Sequence, residues 1–169
     1  MPKTILMATL GGQPQIVTLA LDRLLARGEA IHAVYLIHPA SAQARIHRSL
    51  TTLLAAFADD HYGGHPCVLH RVPIATDDGA HFDLQSDAQA AQAWEQIRAL
   101  IAEQKAAGHR LHLLVAGGRR LLGLLVSSAA ALLCDHSDTL WHLYTPDAVQ
   151  AQVRDGALLH VAPEAGVRL

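Results

Sequence analysis

Cysteine is nearly absent from the chain: Cys67 and Cys134 are the only two. That is too few for a disulfide framework. Strong charge of either sign is lacking as well, with thirteen Lys and Arg against fifteen Asp and Glu and a net charge of −2. Without a global basic field the chain cannot hold long DNA or RNA by counterion release, so a nucleic-acid ligand is expected to be short and locally held. No apolar run reaches the roughly 18 residues that a membrane span requires. The nearest, Leu121 to Cys134, is interrupted by Gly123, Ser127 and Ser128 and bounded by Arg120 and Asp135, which predicts a buried helix. Met1, Pro2 and Lys3 lead into a short apolar stretch without signal-peptide architecture, so a cytoplasmic location is expected. Neither a Walker A loop nor a full G-x-G-x-x-G occurs. No Ser-His-Asp or Cys-His nucleophile can be assigned, and the acidic residues gather in loops and helix starts rather than as catalytic pairs.

What is present is a regular alternation. With 169 residues, about half of them apolar, one well-filled core and one domain over 1–169 are expected. Continuous aliphatic runs predict strands over Thr4 to Leu10, Ile31 to His38, Cys67 to Ile74, Leu111 to Ala116 and Thr139 to Tyr144. Between them lie helical patterns over Pro14 to Arg27, Ser41 to Ala58, Ser86 to Ala107 and Arg119 to Cys134, with Gly28 and Gly108 at helix stops. Ser86 is a plausible cap for a helix that spaces Ala90, Trp94, Ile97 and Ile101 along one face. Alternation of this kind predicts an α/β, Rossmann-like fold, a mostly parallel sheet of five or six strands with helices on both faces. Asp59 to His65 and Asp77 to His81 read as loops. In the tail, Ala148 to Val153 suggests a short helix and Leu158 to Val161 a last strand.

Two strand-to-helix turns could carry chemistry. In Thr9-Leu10-Gly11-Gly12-Gln13-Pro14-Gln15 the glycines let backbone approach a ligand, Pro14 suits a first helical turn, and the helix start offers free N–H groups to an anion. The alternative is a tight turn with no ligand. In Val115-Ala116-Gly117-Gly118-Arg119-Arg120 two cations stand at a helix amino end, where the dipole favours anions. Phosphate between them and the backbone donors would resolve that conflict, since a guanidinium matches its oxygens in a bidentate way. Otherwise the arginines extend into solvent or pair with Asp135 or Glu164. Of the twelve histidines, His61, His65 and His70 lie near Cys67, but they straddle a loop and a strand without a recognised ligand spacing, so no metal site is assigned.

These residues resemble the CRISPR-associated Rossmann-fold (CARF) proteins, and among them the stand-alone ring nucleases of the NE-type CRISPR-associated family. Ile5 to Thr18 is similar to that family's strand, glycine loop, Pro-Gln and Val-Thr helix start. Asp83 to Trp94, the Gly117-Gly118-Arg119-Arg120 turn, Asp138 to Tyr144 and the closing Val167-Arg168-Leu169 extend the likeness over nearly the whole chain. The resemblance implies a homodimer whose two-fold axis joins strand ends into one pocket for a cyclic oligoadenylate, usually the tetramer. It implies cleavage without metal or other cofactor, by attack of a ribose 2′-hydroxyl on the adjacent phosphate, which would switch off type III CRISPR signalling. Ligand contacts would come from Thr9, Gly11, Gly12, Gln13, Pro14, Gln15, Gly117, Gly118, Arg119 and Arg120. Catalytic roles would fall to Gln13, Arg119 and Arg120, with Gln13 where the family commonly has a serine and Arg120 where it commonly has a lysine. Neither replacement is a good proton donor or acceptor, so turnover is expected to be slow or to use Thr9 or another group. No membrane and no long nucleic acid is implied as a partner. A non-catalytic sensor of the same ring is the first competing reading. A Rossmann-like enzyme for an ordinary nucleotide is the second, weakened because the second strand ends Leu36-Ile37-His38-Pro39 with no acidic residue to grip a ribose. His61 to His65 and Asp77 to Phe82 are the candidate covering loops.

Overall fold

The computed structural model describes residues 1–40, 43–77 and 84–169. Its strands are β1 (Thr4–Thr9), β2 (Ile31–Pro39), a small antiparallel hairpin of β3 (His61–Tyr62) and β4 (His65–Pro66), then β5 (Val68–Ile74), β6 (Arg110–Leu114) and β7 (Thr139–Trp141). Apart from the hairpin they form one parallel sheet in the order β5-β2-β1-β6-β7. The central strand β1 is apolar at nearly every position because both its faces are covered. Leu6 and Ala8 enter one core cluster, Ile5 and Met7 the other.

Helices α1 (Gln15–Ala26), α2 (Ala44–Ala56) and the short α5 (Asp147–Val153) cover the first face, while α3 (Asp87–Ala106) and α4 (Arg120–Leu133) cover the second. Ser86 Oγ caps α3 by accepting from Gln89 N–H at 3.2 Å, as its sequence predicts. Ile97 and Ile101 are fully buried from that helix, contributing about 1.5–3 kcal/mol each. The start of α2 expected at Ser41 lies outside the described residues; the helix begins at Ala44. At the sheet's amino-terminal end, Arg110 grips Glu29 through two bonds of 2.7 and 3.1 Å. Lys105 binds Asp138 at 2.7 Å, and that carboxylate also accepts the Leu111 and Asp135 backbone N–H groups.

Four expectations are corrected. Leu158 to Val161 is not a strand: its polar groups are taken by α1, with Thr18 Oγ1 donating to Leu159 O and His160 bonded to Asp22. Further on, Arg168 bridges antiparallel to Tyr144, and β7 itself stops at Trp141. Asp59 to His65 is more than loop, because a 3₁₀ turn and the β3–β4 hairpin occupy it. Helix α4 is buried on one face only: Leu124 and Leu132 are 65% and 68% exposed on the other.

The connections fix where a ligand can enter. From β1 the chain steps to β2 and β5 on one side, then returns through α3 to β6 on the other side of β1. The turns after β1 and β6 therefore leave adjacent strands in opposite directions and open a crevice between them at the carboxyl edge.

Candidate functional site

The two glycine turns meet at that crevice, backbone against backbone. A side-chain carbon on Gly11 would lie 2.8 Å from Gly118 Cα, and one on Gly117 would lie 2.3 Å from the Thr9 carbonyl oxygen. Gly118 has φ of +78°, a left-handed conformation open to glycine at no steric cost. Thr9 is buried, and its hydroxyl donates to Gly117 O at 2.6 Å. The glycines at 11, 117 and 118 thus serve first to seat one turn on the other, and Thr9 ties them together rather than facing the crevice.

Next to this junction the start of α1 builds a polar cluster. Gln13 Oε1 accepts the Asp155 backbone N–H at 2.9 Å and Gln13 Nε2 donates to Asp155 Oδ1. The backbone donor fixes which end of the Gln13 amide is oxygen. Gln15 Nε2 also donates to Gln13 Oε1, at 2.6 Å, which leaves the buried Gln15 Oε1 as an acceptor with no hydrogen-bond partner among the described residues. Asp155 holds φ of +55° and is also bound by Arg45 Nη2 at 3.2 Å. Arg45 lies across Gly12, where a side-chain carbon would fall 1.9 Å from Arg45 Nε. Pro14 is buried beneath Gly156.

A cleft of about 820 Å³ opens beside the cluster, lined by Gln13, Gln15, Arg45, His142, Tyr144 and Arg154 among others. A smaller recess of about 250 Å³ runs from it over Gly11, Gly12 and Gly118 to Arg119, the two sharing Gln13, Ile16, Arg45 and Ala116. Arg119 stands at the N-cap of α4, and the exposed Arg120 forms no ion pair with any described residue. Asp135, one alternative partner, is engaged with Lys105 at 2.9 Å. Helices α1, α2 and α4 start at this edge with no side-chain cap and no acidic residue in the first turn. Their positive dipole ends, with Arg45 and Arg119, make the crevice a place for anions.

Sequence reasoning missed Arg45, Asp155 and His142. Arg45 carries the signal that marked Arg119 and Arg120, a cation in a helix's first turn with no acid beside it. Asp155 reaches the site only through the tertiary placement of the tail, and His142 only because β7 ends at this edge. The histidine group near Cys67 disperses: His61 bonds the Asp59 carbonyl, His70 stacks on Tyr35 with centroids 4.5 Å apart, and burial pushes the Cys67 thiol up to about 12. No three metal-ligating side chains converge among the described residues. Nor is any described helix long and apolar enough to cross a membrane. Of the expected covering loops, residues 78–82 lie outside the described residues, and His61 to His65 forms the hairpin.

The family model for CRISPR-associated protein NE0113 matches residues 13–168. No curated protein matches the chain. Among solved structures the fold is similar to Enterococcus italicus Csm6 bound to cyclic hexa-2′-fluoro-hexa-dAMP, with a TM-score of 0.52 and 12% identity. The match covers 94% of this chain and 39% of that one, so the chain spans about two-fifths of the length of Csm6. At this identity the likeness is one of fold, the parallel sheet flanked by helices.

Proposed function

The chain belongs to the NE0113 family of CRISPR-associated proteins, and from that premise we propose that it binds a cyclic oligoadenylate, the tetramer above all, and cuts it as a metal-independent ring nuclease. The observation that carries this reading is the crevice itself: three uncapped helix starts and the guanidinium groups of Arg45 and Arg119 face a cleft at the switch point of the sheet. A ring of phosphates needs such a concentration of fixed positive ends in a space large enough for nucleotides. That Csm6 of similar fold is bound to a cyclic oligoadenylate analogue supports the same ligand class here.

In the proposed reaction a ribose 2′-oxygen attacks the adjacent phosphorus, the bond to the 5′-oxygen breaks, and the products are a 2′,3′-cyclic phosphate and a 5′-hydroxyl. The protein holds attacking oxygen, phosphorus and leaving oxygen in line. Arg119, with Arg120 beside it, neutralises charge gathering on the phosphate oxygens. Gln13 is a positioning residue in this scheme, since its amide is engaged with Asp155 and Gln15. His142, the histidine lining the cleft, takes over the proton transfer that neither Gln13 nor an arginine can provide. Ring opening ends a type III CRISPR signal.

A homodimer completes the pocket, and the exposed apolar stripe of Leu124 and Leu132 on α4 is the seam proposed for it. A non-catalytic sensor is the second reading, favoured by the full engagement of the Gln13 amide. Titrating cyclic tetra-adenylate into the protein and following its cleavage tests the assignment. Arg119→Ala and Arg45→Ala are expected to weaken binding at least about tenfold each, as loss of a charge-assisted phosphate contact does. His142→Ala should bind the ring and fail to cut it. Unchanged affinity in both arginine variants would remove the crevice as the binding site, and full cleavage by His142→Ala would remove His142 from the reaction.

A further inference from the structure

A second cavity lies on the far side of α2 from the cleft and shares no lining residue with it. It is a groove of about 620 Å³ between α2 and the edge strand β5, floored by His38 and walled by His47, Thr51, Leu54, Arg71 and Pro73. The register of the sheet explains the grouping. In β2 and β5, Leu36 pairs with Arg71 and His38 with Pro73, so His38 and Arg71 share the face that α2 covers. Neither α2 nor β5 contains a single carboxylate. Arg71 and His47 are exposed, and neither forms an ion pair with a described residue.

His38 and His112 are the two buried histidines whose Nε2 has no hydrogen-bond partner among the described residues; His112 Nε2 lies 3.5 Å from the Glu29 carboxylate, whereas His38, 6% exposed, has no carboxylate beside it in α2 or β5. Its Nδ1 lies 2.9 Å from the Pro39 carbonyl, which can only accept, so Nδ1 carries the proton and Nε2 is the acceptor. Burial, with Arg71 and His47 nearby, holds its pKa below the usual histidine value and keeps the ring neutral. The groove therefore combines an exposed guanidinium and an exposed imidazole with a largely buried imidazole in the floor and an apolar wall. None of these serves the cleft, and the crevice chemistry leaves them unexplained.

We infer that this groove is a second, separate binding site for a phosphomonoester of nucleotide size, its phosphate held by Arg71 and His47 and its ring laid on Leu54 and Pro73. Phosphate suits an arginine fork beside an imidazole. Half-exposed Leu54, otherwise an apolar side chain left in water, gains a covering surface. The volume is of the size that encloses small ligands.

Calorimetric titration with adenosine 3′-monophosphate, with linear tri-adenylate ending in a 3′-phosphate, and with inorganic phosphate tests the inference independently of ring binding. Saturable binding of either adenylate that Arg71→Ala weakens about tenfold, and Arg119→Ala leaves intact, is the expected result. If the mononucleotide binds, the ligand is a free nucleotide; if only the tri-adenylate does, it is an oligonucleotide end. His47→Ala and Leu54→Asp should weaken the same binding, and since all three side chains are exposed the variants keep the fold. Absence of saturable binding by both adenylates overturns the proposal. So does binding that survives Arg71→Ala or is lost in Arg119→Ala, and so does inorganic phosphate binding as tightly as the adenylates.

Discussion

Replacing Gly117 by alanine is the sharpest test of how the crevice is built. The added carbon falls 2.3 Å from the Thr9 carbonyl oxygen, whereas such carbons essentially never come within 3.0 Å of another heavy atom. Because the intruding atom is backbone in a buried strand end, no side chain can swing aside, and the turns after β1 and β6 must part by most of an ångström. Overpacking of this kind costs about 1–3 kcal/mol. Parting the turns also breaks the 2.6 Å bond from the Thr9 hydroxyl to Gly117 O and leaves that buried hydroxyl only its longer 3.4 Å bond to Leu114 O, for up to about 3 kcal/mol more. For a chain of this length each kcal/mol lowers Tm by about 2–4 °C, so Gly117→Ala should melt roughly 5–20 °C lower. Ring binding, measured well below that Tm, should fall too, because the recess over Gly11, Gly12 and Gly118 is shaped by the same contact. A variant with unchanged Tm and unchanged affinity would refute the claim that the glycines seat the two turns on each other.

Gly123→Ala has the opposite sign: the new carbon meets Val115 at an ordinary 3.5 Å inside α4, so thermal unfolding should show about 0.5–1 kcal/mol of added stability. Burial raises the Asp138 carboxyl, but its bonds to Lys105 and to the Asp135 and Leu111 N–H groups outweigh this and hold it below the usual aspartate value. A depressed folded pKa means the stabilisation is complete above about pH 4 and lost as pH falls through the folded value, so Asp138→Asn should lower Tm at pH 7 and flatten its acid decline. Leu124→Asp with Leu132→Asp should shift sedimentation from dimer to monomer; a wild type that already sediments as a monomer would remove α4 as the seam. His61→Ala should leave cleavage unchanged, since His61 sits in the β3–β4 hairpin and does not line the cleft.

The strands and four long helices are legible in the sequence because a sheet covered on both faces forces continuous apolar runs such as Ile5 to Ala8. The positions of the glycine turns were legible too, though the reason differs: Gly117 is required by the Thr9 carbonyl. The tail was not legible. Leu158 to Val161 has strand-like residues, yet its partners are Thr18 and Asp22 on α1, contacts 141 and 138 positions distant that no local pattern encodes. Asp155 is hidden for the same reason, 142 positions from Gln13, while Arg45 was within reach of the rule applied to Arg119. In α4 the apolar content predicted a buried helix, whereas Leu124 and Leu132 are left outside the core of one chain.

The central claim is that the crevice opens a cyclic oligoadenylate by its own ribose hydroxyl, and incubation with cyclic tri-, tetra- and hexa-adenylate in excess EDTA, followed by chromatography and mass measurement, tests it most directly. The account predicts conversion of the tetramer to linear adenylates ending in 2′,3′-cyclic phosphate. Recovery of every ring intact would contradict it.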